Sequence, residues 1–314
     1  MRVDAIPGVQ ELWRETTGDR RICVAILDGP VDLEHPAFAA AALQSEELLV
    51  AARGAASRHG THVASVIFGR HGGPVPGIAP CCRGLILPIF GAGPDDELTP
   101  CSEVDLALAI SRAVDLGAQV INVSGGRPAP SAQAYPLLAR AVDLCRRERV
   151  LLVAAAGNDG CACLHLPAAL ESVLAVGAMD AHGQPLPFSN WGEAYSRQGL
   201  LAPGEEILGA LPGDGKSLRS GTSYASAIVA GVAALLLSRE LSRARIADPL
   251  TVRRALLAGA RREPPAVPDR RLLAGRLDVA ATAALLDAVL RCREIHASAA
   301  RRQSTSRSTA PRQG

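Results

Sequence analysis

A three-layer α/β domain on a mainly parallel sheet, flanked by helices, is the fold class this sequence predicts. Three observations predict it. Short apolar runs rich in β-branched residues and leucine alternate with longer stretches of helical spacing, and strand–helix alternation of that length builds a sheet with helices on its faces. The runs are continuously apolar, which suits strands buried on both sides. The composition supports such a core: 48% of the 314 residues are hydrophobic and 20% charged, proportions of a globular chain.

Taken in order, strands are predicted at residues 22–27, 85–90, 120–123, 150–155 and 173–176, each bounded by Gly, Asp, Asn or Pro. A further strand is expected near Glu47 to Ala51. His59 opens an apolar helix that runs to Gly69. Ser102 offers an N-cap with Glu103 and Asp105 in the first turn, and Leu106, Ala109, Ile110, Ala113 and Val114 follow at helical spacing before Gly117. Stretches 131–147 and 251–257 read the same way. The run 225–237 is apolar all round and too short to span a bilayer, so it reads as a core helix. Pro264, Pro265 and Pro268 mark a loop, and the polar tail from Ala297 is expected to be disordered. The organisation predicted is an extension over 1–19, one domain over 20–296 and a tail over 297–314.

Charge narrows the function classes. The net charge is +2, but Arg301, Arg302, Arg307 and Arg312 lie in the tail, leaving a nearly neutral body. A nucleic-acid groove needs a strongly basic face, so no nucleic-acid partner is expected. The N-terminus lacks a basic segment followed by an apolar one, and no membrane span is apparent, so a cytoplasmic protein with reduced cysteines is expected. With about twenty residues ahead of the first strand, no folding pro-region is expected either.

Three segments carry chemistry. Asp28 follows the first predicted strand, at the carboxyl edge where open α/β sheets place their sites. His59-Gly60-Thr61-His62 opens an apolar helix; a metal reading of the two histidines lacks the intervening Glu of a zincin. Ser220-Gly221-Thr222-Ser223 leads into the core helix, with Ser223 as its cap, beside free backbone N–H groups that can hold an oxyanion. Each alone reads as a turn Asp, a structural His or a common cap. Together, Asp, His and Ser in that chain order form a nucleophilic triad.

These segments resemble the active-site motifs of subtilisin-like serine proteases. Ala154-Ala155-Ala156-Gly157-Asn158 matches the strand end that carries the oxyanion-hole asparagine, and Val123-Ser124-Gly125-Gly126 the strand end that pairs with substrate. The resemblance implies Ser223 as nucleophile, His59 as base, Asp28 as its orienter, Asn158 as oxyanion donor, and Ser124, Gly125, Gly126, Ala156 and Gly157 as substrate-binding residues. It implies neither cofactor nor metal.

From Arg20 to Leu290 the chain is similar to the protease domains of cyanobactin maturation enzymes, through Asp28-Gly29-Pro30-Val31-Asp32, Gly77-Ile78-Ala79-Pro80, Asn158-Asp159-Gly160-Cys161 and Phe188-Ser189-Asn190-Trp191-Gly192. That resemblance implies a ribosomal precursor peptide as substrate and other biosynthetic enzymes as partners. The family's cyclising branch carries a helical lid between its Asp and His motifs. Only residues 29–58 are available here, so hydrolysis is expected over macrocyclisation. The alternatives are a general intracellular subtilase and an inactive peptide-binding scaffold.

The sequence departs from common subtilases at Gly29 and Pro30 after the Asp, Tyr224 after the Ser, and Ala227 where Pro is usual. Cys161, Cys163 and His165 form a cluster that reads as thiols rather than zinc, for want of a second ligand pair. A Cys82–Cys101 pairing is left open. Asp95-Asp96-Glu97 reads as a solvated loop rather than a calcium site, and Gly72-Gly73 has no nucleotide-binding context.

Overall fold

The computed structural model describes residues 1–46, 54–92, 98–99, 101–244, 247–262 and 269–292. Seven strands, β1 (Cys23–Asp28), β2 (Ala42–Ser45), β3 (Arg83–Pro88), β4 (Val120–Val123), β5 (Leu151–Ala155), β6 (Leu174–Met179) and β7 (Gly199–Pro203), form one sheet. Its order is β7-β6-β5-β4-β1-β3-β2, and every pairing is parallel. The chain runs from β1 out to the β2 edge, returns through β3, and crosses to β4 on the other side of β1. The strand order therefore reverses at β1, and the crevice at its carboxyl end is where such sheets hold ligands.

Helices α1 (Ala55–Phe68), α2 (Glu103–Asp115), α3 (Pro136–Arg147), α4 (Thr222–Ala244) and α5 (Pro249–Ala258) cover the sheet. Period-two alternation divides each strand between two cores. In β1, Val24 and Ile26 pack with α1 and α4, while Cys23, Ala25 and Leu27 pack with α2 and α3. Both faces are buried, which explains why the strands read as unbroken apolar runs. Helix α4 is long and apolar enough to cross a membrane, but 89% of its most apolar stretch is buried inside the protein, so it is the core helix. Val3, Ile6, Val9 and Leu12 join the same core, and Trp13 Nε1 donates to the Ile78 carbonyl at 2.8 Å.

The predicted three-layer fold is borne out, with three corrections. The strand expected at 47–51 lies outside the described residues; the edge strand observed is Ala42–Ser45. Helix α1 starts at Ala55 behind Gly54, so His59 sits in its second turn and does not open it. Gly54 has no side chain to act as a cap, which hid that start. Helix α4 starts at Thr222, which makes Ser223 a residue of the first turn and not the cap. The antiparallel hairpin Ile207–Leu211/Gly215–Arg219 was not foreseen, because its second strand is half-exposed and carries Lys216 and Arg219. The acidic 95–97 segment, most of the 261–268 loop and the tail lie outside the described residues. Beyond the sheet, residues 279–292 are helical.

Candidate active site

Asp28 is the last residue of β1 and is fully buried at the crevice. Its Oδ1 accepts from the Gly29 N–H at 2.6 Å and lies 2.7 Å from His59 Nδ1. A carboxylate only accepts, so His59 carries its proton on Nδ1, and Nε2 keeps a free lone pair for base chemistry. Two glycines permit this contact. A Cβ on Gly29 would stand 2.0 Å from the Ala56 carbonyl oxygen, and one on Gly60 2.2 Å from the Gly29 oxygen. Helix α1 thus lies directly on the backbone that leaves β1. The glycine after Asp28, a departure from the common pattern, is the residue that allows this approach.

Across the crevice, Ser223 stands at the start of α4 with 7% exposure. The first intrahelical bond is Ala225 N–H to the Gly221 carbonyl, so the Ser223 N–H lies among the free donors of the helix start. Asn158 follows β5. Its Oδ1 accepts from the Thr222 N–H at 3.0 Å and from the Thr222 hydroxyl at 2.9 Å, leaving its Nδ2 as a fixed donor facing solvent. Two donors and a positive helix end suit a developing oxyanion. The Ser223 hydroxyl donates to the Ser124 carbonyl at 2.6 Å; among the described hydrogen bonds none joins it to His59.

Tyr224 ties the two sides together. Its ring centroid lies 5.6 Å from that of His59 and 4.5 Å from that of His62. His62 is not a ligand: it is fully buried, its Nε2 lies 3.1 Å from the Ile207 carbonyl, and burial, with Arg219 and His59 nearby, depresses its pKa to about 3. Among the described residues no cluster of three or more His, Cys, Asp or Glu is arranged to hold a metal.

Of the remaining predicted residues, Ser124 after β4 accepts from the Ser223 hydroxyl and Gly157 after β5 donates its N–H to the Thr222 hydroxyl; Gly125, Gly126 and Ala156 adjoin them in the chain. The Cys161 and Cys163 pair corrects the expectation of thiols: they are joined by a disulfide across one intervening residue, with Cα atoms 5.1 Å apart, within the span of such a bond. Cys82 and Cys101 are both free. Sequence reading missed Gly60, although its place directly after His59 mirrors that of Gly29 after Asp28. It also missed the pair His165 and Asp159, because His165 reads as a member of the cysteine cluster.

The profile of the subtilase family matches residues 19–275. The thermophilic serine proteinase of Bacillus sp. (strain AK1) is 33% identical over 231 residues, 72% of this chain; the chain spans only 55% of that relative's length. Among solved structures, the patellamide maturation protease PatA is 56% identical with a TM-score of 0.80, covering 86% of this chain and 98% of that one. The PatG macrocyclase, solved in complex with peptide, is 31% identical with a TM-score of 0.81, covering 89% and 95%.

Proposed function

Because the chain belongs to the subtilase family, we propose that it is a serine endopeptidase acting on a ribosomally made precursor peptide. The observation that carries the reaction is the Asp28–His59 pair, its carboxylate fully buried, with the His59 ring against Tyr224, the neighbour of Ser223. In this reading Ser223 Oγ attacks the scissile carbonyl. His59 Nε2 takes the hydroxyl proton and passes it to the leaving amine, while Asp28 holds the ring and stabilises the imidazolium. Asn158 Nδ2 and the Ser223 N–H receive the oxyanion. Before attack the Ser223 hydroxyl must leave the Ser124 carbonyl and turn to His59. A substrate strand pairing with residues 124–126 would bring a backbone N–H to that same carbonyl and compete for it.

The substrate class rests on the likeness to the patellamide maturation protease over most of both chains. Hydrolysis over cyclisation rests on the short connection. Residues 29–58 supply the edge strand Ala42–Ser45 and the first turn of α1. To favour the peptide's own amine over water at about 55 M, a cyclase must exclude solvent and hold the peptide end close, and the room for a covering element is small.

A fluorophosphonate probe should label the wild type, fail on Ser223→Ala and be largely lost on His59→Ala. A folded wild type that does not label would favour the peptide-binding scaffold. Mass spectrometry of a matched precursor should show linear products carrying the added water; mainly macrocycle would reverse the choice of nucleophile.

A further inference from the structure

We propose that Asn190 is a positioning residue for catalysis: it holds the turn that carries Asn158, and so aims the Asn158 amide donor at the oxyanion. The inference rests on the peptidase reading and adds to it a residue that acts through another side chain. Thr222 alone does not fix that donor. It meets the Asn158 side chain only at Oδ1, and an amide anchored at one atom can pivot about it. The direction of Nδ2 is set once the Asn158 backbone is anchored as well. Asn190 anchors it on both sides. Its N–H donates to the Gly157 carbonyl at 3.0 Å, in the peptide group before Asn158. Its Oδ1 accepts from the Asp159 N–H at 2.8 Å, in the peptide group after. The two peptide groups that define φ and ψ of Asn158 are thus tied to one residue.

The contact is close and the anchor is firm. Gly157 lies in the left-handed region at φ +106°, and a Cβ on it would stand 2.3 Å from Asn190 Nδ2, so the turn rests directly on the amide. That Nδ2 donates to Asp159 Oδ2 at 2.8 Å, an oxygen that also lies 2.6 Å from His165 Nε2. A carboxylate only accepts, which fixes the Asn190 amide with its own oxygen toward the Asp159 N–H. Asn190 is 1% exposed, and the hydroxyl of its neighbour Ser189 accepts from the Ala178 N–H of β6 at 3.0 Å. The turn is therefore held from the central sheet as well as from the start of α4. Without the Asn190 side chain the Asp159 N–H loses its acceptor, and the turn shifts to find another. A donor displaced from the oxyanion by a fraction of an ångström stabilises it poorly.

The test is a double-mutant cycle in kcat, read on the best substrate from a panel of internally quenched peptides, with Ser223→Ala as background. Asn190→Ala should lower kcat by about tenfold to a hundredfold, less than the loss on deleting the donor itself with Asn158→Ala. KM should stay within about threefold of wild type, since the lost interaction is made in the transition state. In the Asn158→Ala protein no side-chain donor remains to be aimed, so adding Asn190→Ala should change kcat by less than about threefold. A merely structural role would lower kcat equally in both backgrounds. That result overturns the inference, as does a folded Asn190→Ala protein with wild-type kcat. If Asn190→Ala does not fold, Asn190→Asp carries the same cycle: it fills the same space but sets a second carboxylate against Asp159, which displaces the turn. Equal losses in both backgrounds, with turnover still dependent on Ser223, overturn the inference alone. Absence of Ser223-dependent turnover for every peptide overturns the peptidase reading and the inference with it.

Discussion

The two sides of the crevice are built to different tolerances. On the Asp28–His59 side the contact is made on a fully buried carboxylate, and backbone lies on backbone: Gly29 against Ala56, Gly60 against Gly29. On the Ser223–Asn158 side the groups are held but uncommitted. The serine hydroxyl rests on Ser124, and Asn158 is fixed by its carbonyl with its amide donors free. The difference follows from what each side does. A base must be oriented before substrate arrives, so its geometry is fixed by packing. The nucleophile and the oxyanion donors meet substrate directly, and their last bonds form only with it.

Breaking the rigid side should have the largest effect. Gly29→Ala would force a Cβ to within 2.0 Å of a backbone oxygen, where no side-chain rotation relieves the clash. The helix must move away from β1, at a cost of about 3 kcal/mol or more. Thermal unfolding should show the loss, and probe labelling at Ser223 should disappear even below the melting temperature because the Asp28–His59 distance opens. A variant as stable and as reactive as wild type would mean that α1 has slack the glycines conceal.

Breaking the open side should cost activity without stability. Asn158→Asp keeps an oxygen for both Thr222 donors but replaces the amide donor by a charge where the oxyanion develops. We expect kcat to fall by about a hundredfold to a thousandfold with the melting temperature within a degree or two of wild type. Equal losses in both would place Asn158 with the rigid side.

The same contrast separates what the sequence makes legible from what it does not. Asp28, His59 and Ser223 are legible because three chemistry-bearing motifs stand together in one chain order, and Asn158 because its segment resembles the family's strand end; none of them is legible alone. The sheet is legible because burial on both faces leaves continuous apolar runs in β1 and β3 to β6. What holds the site together is not. Gly29 lies against the Ala56 backbone and Gly60 against that of Gly29, and no single-residue pattern announces contacts between positions so far apart in the chain. His165 looks like part of a cysteine cluster until Asp159 and Asn190 are seen around it. The helix starts are displaced for a related reason: Gly54 gives α1 no side-chain cap to read, and in α4 the serine that invites a capping role lies inside the first turn.

The smallest effect sharpens the comparison at the joint between the two sides. His62 lies one turn beyond His59 on α1 and packs its ring on Tyr224, the neighbour of the nucleophile. Burial holds its pKa at about 3 in the folded protein, against about 6.5 in an unfolded chain. As pH falls below that unfolded value, the unfolded state takes up a proton that the folded state refuses. Stability is therefore complete above about 6.5 and falls with pH, by about 1.4 kcal/mol per unit, down to the folded value. The depressed carboxylates Asp4, Asp19, Asp143, Asp159 and Asp248 add to any acid loss at lower pH, so the readout is a difference between proteins. Urea unfolding of the wild type and of His62→Gln, whose amide can still donate to the Ile207 carbonyl, should give free energies that converge as pH drops from 6.5 to 5.5. Parallel slopes would show that His62 takes up its proton in the folded state, and that the joint between the two sides admits water.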